Sequence, residues 1–235
     1  MSAIAIVSEN SPVEAVHKLS ENFTIIKMPP DPLLDPPVAH HPDMLITILD
    51  GKLFCHQTYY RLAHTIIDKM VYLCKLQLVC TAAPRSAKYP LDVGLNTLLL
   101  PDQKKLIARR ASLAPELLPY LAVDTKQGYA GCASLFIGGT VVTADPSICC
   151  SGQKIDIPVY KIPSGGIQLP GYDTGFIGGC GGVWENTVYL YGQASSSSAG
   201  RALAVYCRKR GFSIIELWDG PLSDFGGIQF AEIVK

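Results

Sequence analysis

Charge is scarce in this sequence. Only 17% of its 235 residues are Asp, Glu, Lys or Arg, and 20 acidic side chains balance 20 basic ones. A broad surface for nucleic acid or for anionic lipid needs a basic excess, so neither a nucleic acid nor a membrane is expected as partner. Long apolar runs are missing too: residues 95–100 are too few to span a bilayer, and residues 66–73 carry Asp68 and Lys69. The eight cysteines contain no CxxC pair, and His17, His40, His41, His56 and His64 are not spaced with them as zinc ligands, so no metal is expected. There is no GxGxxG after a clear strand, no P-loop lysine with its hydroxyl, and no GxSxG, so no dinucleotide, other cofactor or serine nucleophile is expected. The first residues lack a basic stretch and Glu9 follows soon after, which reads as no signal peptide and a cytoplasmic chain with reduced thiols. Low charge with 48% hydrophobic residues excludes general disorder, and the length allows one domain over 1–235 with a sizeable core.

What is present is a repeated local theme. Residues 1–7 read as a strand. Ser11-Pro12-Val13-Glu14 reads as a helix start with Ser11 as cap, Pro12 at the first helical position and a helix to about residue 21. Residues 23–27 return as a strand, and the Pro-rich 28–37 stretch is an ordered surface excursion. Residues 44–49 and 52–56 flank Asp50-Gly51, a strong hairpin signal. Residues 59–70 have helical spacing, and 71–80 read as a strand. Residues 93–100 and 105–108 suggest a looser hairpin followed by a short helix at 115–120. Residues 133–137 and 140–144 flank Gly138-Gly139, and a further hairpin runs through 175–191. A helix over 197–210 ends at Gly211, a strand follows at 212–217, and the last strand is expected to pair with the N-terminus. Five units of hairpin and helix, 40 to 50 residues apart, point to a radial α/β array.

Chemistry concentrates at the turns. His41-Pro-Asp43 places a neutral-pH base and a carboxylate on one side of an extended chain; the plain alternative is a surface histidine beside a turn-forming acid. Gly128-Tyr-Ala-Gly131-Cys132 places a thiol where a flexible loop enters a strand, with Lys126 near in sequence as a source of positive charge; the plain alternative is a small packing residue. The glycine-dense Gly171-Tyr-Asp173-Thr-Gly-Phe-Ile-Gly-Gly179-Cys180 allows close backbone approach around a central site, and holds a carboxylate and a second thiol. Asp224 opens the last unit, and Asp92 and Asp145 stand at other strand ends, where acids also serve ordinary turn chemistry.

As a set, His41-Pro-Asp43-Met44, Tyr89-Pro-Leu-Asp92, Lys126-Gln-Gly-Tyr-Ala-Gly-Cys132 and Gly171 to Gly179 resemble the pentein, or guanidino-group-modifying, superfamily, in an uncharacterised bacterial branch, over about 38–228. The resemblance implies a pentein-type five-unit α/β propeller around a pseudo-fivefold axis. Arginine and agmatine deiminases and dimethylarginine hydrolases of this superfamily use a cysteine that attacks the guanidinium carbon, a histidine that moves protons, and acids that clamp the cation. Carried over, Cys132 is the nucleophile, His41 the acid/base, and Asp43, Asp173 and Asp224 bind a small cationic guanidino compound. The function implied is a thiol-dependent hydrolase or amidinotransferase. The alternative is a non-catalytic pentein that binds a ligand or protein, and the choice between Cys132 and Cys180 stays open. Assembly into a homo-oligomer is neither required nor excluded. The chain departs from those enzymes in having no cysteine in its last unit. His41 and Cys132 nevertheless fall two units apart, as the enzymes' pair does, which a circularly shifted ring would explain. Pro42 restricts His41 to extended geometry.

Overall fold

The fold was taken from a computed structural model, which describes residues 2–234; Met1, at the head of the first expected strand, lies outside them. Strand β1 (Ala3–Ser8) leads through α1 (Val13–Ser20) to β2 (Thr24–Met28). A helical turn, α2 (Pro42–Leu45), enters the hairpin β3 (Ile46–Leu49) and β4 (Lys52–His56), which α3 (Gln57–Cys74) connects to β5 (Gln77–Thr81). The next hairpin is β6 (Leu98–Leu100) and β7 (Lys105–Ala108), with a 3-10 segment (Pro115–Tyr120) and β8 (Leu121–Asp124). Then come β9 (Ser134–Ile137), β10 (Thr140–Thr143), α4 (Pro146–Lys154) and β11 (Val159–Lys161). The last elements are β12 (Gly181–Trp184), β13 (Thr187–Leu190), α5 (Ser198–Arg210), β14 (Ser213–Glu216) and β15 (Gln229–Glu232).

These strands form five three-stranded sheets. In each, the middle strand pairs antiparallel with one neighbour and parallel with the other, the parallel partner being reached by a helical crossover. The fifth sheet joins the two ends of the chain. Strand β15 lies antiparallel to β1, with Ala5 opposite Phe230, so the sequence expectation for the last strand holds. Residues of the five first strands, β3, β6, β9, β12 and β15, line one cavity of about 370 Å³. They therefore surround a common axis.

Local sequence explains most of the elements. Asp50 and Gly51 both take left-handed φ, which makes the β3–β4 turn match the strand twist. Helix α3 buries Tyr59, Ala63, Ile67, Met70 and Cys74, a stripe with steps of three and four residues. Burying each of Tyr59, Ile67 and Met70 is worth about 2 kcal/mol. This stripe carries the helix through Cys74, so residues 71–74 are helical rather than strand. Gly211 closes α5 in the left-handed conformation and Ser197 caps it. Ser11 does not cap α1: Pro12 occupies that position without a side-chain bond, because the Ser11 hydroxyl is buried against Tyr191 Oη at 3.0 Å. Residues 93–97 form a turn, and β6 begins only at Leu98. No described helix is long and apolar enough to cross a membrane.

Candidate active site

Each first strand is entered by a turn, and the turns meet at one end of the axial cavity. Pro42 starts α2, and His41 just before it is extended, at φ −70° and ψ 117°, as a residue preceding proline should be. The turn binds the last unit directly: the Asp43 N–H donates to the Gly226 carbonyl at 3.3 Å. Gly226 has φ +77°, and a Cβ there would stand 2.2 Å from the His41 Cβ, so only glycine fits. Asn96 and Cys132 occupy the same place in two successive units, each two residues before its inner strand.

Cys132 is the meeting point. Its thiol donates to Asp43 Oδ2 at 2.8 Å and accepts from Asn96 Nδ2 at 3.0 Å. The Asn96 carbonyl oxygen accepts the N–H of Gly131 at 2.8 Å and of Cys132 at 3.2 Å, so this one side chain fixes both the sulfur and the turn that carries it. The Cys132 carbonyl accepts the N–H groups of Gly178 at 2.7 Å and Gly179 at 3.1 Å. A Cβ on Gly178 would lie within 2.6 Å of three backbone oxygens, and one on Gly179 would meet Asp224 Oδ1 at 1.9 Å. The glycine pair thus supplies the close backbone approach expected from its density in the sequence. Asp224 is held by the N–H of Phe176 on Oδ2 and of Gly226 on Oδ1, both at 2.9 Å. His41 Nδ1 stands 3.7 Å from Asp224 Oδ1.

Asn96, Cys132, His41 and Asp224 are each less than 5% exposed, and Asp43 beside them is half-buried. Burial raises Asp224 to about 6, against the pull of its two backbone donors. Burial first, then the Asp224 charge, raises Asp43 well above the usual carboxylate range. The Cys132 thiol goes far up for the same reasons, burial followed by Asp43 and Asp224. Burial, and then His40, lowers His41 to about 3, so it is neutral at pH 7 and its contact with Asp224 is not an ion pair. The resting site is therefore rich in protons and poor in cations.

The structure brings Cys132, Asp43 and Asp224 to one place and sets His41 behind Asp224, in no hydrogen bond with Cys132. It does not bring Asp173 there; that residue is exposed on the loop after Gly171, where its carboxylate keeps its water. Cys180 is buried and donates to the Phe176 carbonyl at 3.1 Å, away from Asp43. Lys126 is exposed, and the charges acting on Cys132 are acidic, contrary to the expectation of a cationic neighbour. Asp145 caps α4 through the N–H groups of Ser147 and Ile148, as its plain reading as a turn acid has it; Asp92 instead is buried and accepts from Tyr129 Oη, 37 residues away. Asn96 was not anticipated. Only its offset from the inner strand, matching that of Cys132, could have marked it. Among the described residues no group of three or more His, Cys, Asp and Glu side chains has the arrangement of a metal site.

The chain matches the family model described as "Family of unknown function (DUF6873)" over residues 6–229. No curated protein matches it. Among solved structures, a dimethylarginine dimethylaminohydrolase variant in adduct with S-methyl-L-thiocitrulline is similar with a TM-score of 0.58 at 11% identity over 92% of each chain. The adduct of a dimethylarginine dimethylaminohydrolase with 4-chloro-2-hydroxymethylpyridine gives 0.56 at 12% identity over 92% of each chain. The enzyme from Pseudomonas aeruginosa, as a mutant complexed with citrulline, gives 0.56 at 9% identity over 99% of this chain and all of that one. At such identities the likeness establishes fold, and the five sheets agree with it. The chain belongs to this family of unknown function, DUF6873, and has the pentein fold.

Proposed function

We propose that the protein is a cysteine-dependent enzyme that cleaves or transfers a C–N bond of a guanidino or amidine compound. The observation that carries this reading is the thiol of Cys132 donating to the half-buried Asp43 carboxylate at 2.8 Å beside the buried carboxylate of Asp224. Two buried acids without a cation are costly to ionise. A guanidinium between them offers forked donors that match carboxylates and favours their charged forms. It lowers the barrier to thiolate formation in the same way. The Cys132 sulfur then adds to the electron-poor carbon as its proton passes to Asp43. The tetrahedral adduct expels an amine that takes up a proton, and water releases the product from sulfur, returning the thiol. His41, neutral at pH 7 and held there by its burial, stands on the Asp224 side.

A second reading, a pentein that binds a cation without turnover, is favoured by one feature: His41 faces Asp224 rather than Cys132. A haloacetamidine distinguishes the two. Peptide mapping after exposure should find it on Cys132 among the eight cysteines, with labelling abolished in Asp43→Asn. Labelling of the exposed Cys80 and Cys150 alone refutes the catalytic reading.

A further inference from the structure

Two cysteines outside the candidate active site stand together. Strand β4 places Cys55 directly opposite Cys80 of the parallel strand β5, and their sulfurs lie 4.0 Å apart. Side chains at paired positions of neighbouring strands share a face of the sheet, so strand register fixes this closeness. A strand spacing of about 4.8 Å falls within the Cα separation of about 4.4–6.8 Å that a disulfide spans. The sulfurs need to approach by only about 2 Å, which turns about the two Cα–Cβ bonds supply.

The pair is asymmetric. Cys80 is exposed, on the edge strand of its sheet, and Cys55 is buried. Burial first, then the charge of Cys80, pushes the Cys55 thiol up, so it is protonated at pH 7. Arg85 acts the other way on Cys55; its side chain is buried and bound to Asp31 at 2.5 Å. The exposed sulfur is thus the one a reagent meets, and the buried sulfur waits behind it with a guanidinium near.

We propose that Cys55 and Cys80 form a modification site, a dithiol that a peroxide converts to a disulfide and that reducing thiols restore. The Cys80 sulfur gives its proton to water and attacks a peroxide oxygen. The O–O bond breaks, a sulfenic acid forms on Cys80, and the departing hydroxide or alkoxide takes up a proton. Cys80 then carries no charge to oppose ionisation of Cys55, while Arg85 still favours it. The Cys55 sulfur attacks the Cys80 sulfur, the S–O bond breaks, and the hydroxide leaves with the Cys55 proton as water. One peroxide has taken two electrons from two thiols. With Cys80 exposed, a thiolate can attack the bond and reverse it. Cys132 takes no part.

Peptide mapping without reductant tests this on the wild-type protein. Trypsin cuts after Lys52, Arg61, Lys75 and Arg85, so Cys55 and Cys80 fall in separate peptides, 53–61 and 76–85. After hydrogen peroxide these peptides should appear joined, in a chain about 2 Da lighter, and dithiothreitol should part them. Dimedone, a trap for sulfenic acid, should label Cys80 about tenfold more in Cys55→Ser than in wild type, because the second sulfur is gone. Cys80→Ser should give neither the bond nor an adduct on Cys55. Absence of the joined peptides, Cys80 joined to a different cysteine or to a second molecule, or equal dimedone labelling with and without Cys55 overturns the proposal. The wild-type map needs no variant, so it decides even where Cys55→Ser fails to fold.

Discussion

Asn96 is the residue whose removal separates scaffold from chemistry. In Asn96→Ala the N–H groups of Gly131 and Cys132 lose their acceptor, and the Cys132 sulfur loses its amide donor. The site is almost fully buried, so water does not replace these bonds freely. Orphaning a buried backbone donor costs about 1–3 kcal/mol; with part of the turn relaxing, the pair costs about 3 kcal/mol. For a chain of this length that corresponds to a melting temperature lower by about 6–12 °C. Asn96→Asp has the same shape and keeps the acceptor for both N–H groups, but it replaces the sulfur's donor by an oxygen beside two existing carboxylates. Its melting temperature should approach the wild type at pH 5 and fall behind it as pH rises. A third buried acid has a raised folded pKa, so its contribution is present at low pH and lost above that pKa. Haloacetamidine labelling of Cys132 should be slowed in Asn96→Asp, since the thiolate gains another like charge. Differential scanning fluorimetry across pH and timed peptide mapping measure the two effects. An Asn96→Ala protein melting within 2 °C (~0.5 kcal/mol) of wild type, or an Asn96→Asp protein labelled at the wild-type rate, refutes the role given to this side chain.

Gly178→Ala should destabilise by about 3 kcal/mol, because its Cβ falls 2.2–2.6 Å from the carbonyl oxygens of Gly131, Ser134 and Cys132, which cannot retreat without moving the site. Gly139→Ala, with nothing within 4 Å and φ +78°, should cost only about 1 kcal/mol; equal melting temperatures for the two would contradict this. Asp224 has its folded pKa raised to about 6, so the stability it contributes is full below its unfolded value of about 3.9 and is lost as pH climbs through 6. Wild-type unfolding free energy should therefore decline by up to about 3 kcal/mol between pH 4 and 8 from this group, and urea titrations of Asp224→Asn should show a shallower decline. An unchanged slope would show that Asp224 titrates normally. Ala5→Pro removes an N–H from β1, the strand between β15 and β2, and should cost on the order of 3 kcal/mol. It should also speed thiol labelling of Cys132, because β15 follows the turn whose Gly226 carbonyl holds Asp43; loss of stability without faster labelling would uncouple the closure from the site.

The hairpins were legible because turn chemistry is local. Asp50-Gly51 and Gly138-Gly139 announce left-handed positions, and alternating apolar residues on either side supply the strands. Helix α4 and strand β11 were not legible, since Pro146–Lys154 contains two cysteines, a glycine and two serines and shows no apolar stripe. The only signal there was Asp145-Pro146, which the sequence offered equally as a strand-end acid. At the site, His41, Asp43, Cys132 and Asp224 stood out by residue type. Asp173 stood out for the same reason and is exposed. Type cannot tell a turn that points inward from one that points to water. Asn96 shows the converse: an amide attracts no attention by type, and its importance comes from the unit register that places it against Cys132.

That register also explains how a chain with so little charge can concentrate it. Each unit begins with a turn, and in a ring the turns converge whatever their separation in sequence. Asp43 and Asp224 are 181 residues apart in the numbering, yet the charge of one raises the other's proton affinity. Acids brought together in this way destabilise the resting fold at neutral pH, since burial already disfavours their ionisation. They contribute no compensating ion pair within the site, whose histidine is held neutral. Packing alone would be served better by apolar side chains of the same volume. The arrangement gains stability only when a cation enters, and the wall that leads to Asp43 carries no cation of its own. On the proposed function, the electrostatic cost of the empty site and the affinity for a guanidinium are two sides of one free energy, and guanidinium binding should raise the melting temperature most at the pH where the unliganded protein is weakened by these acids.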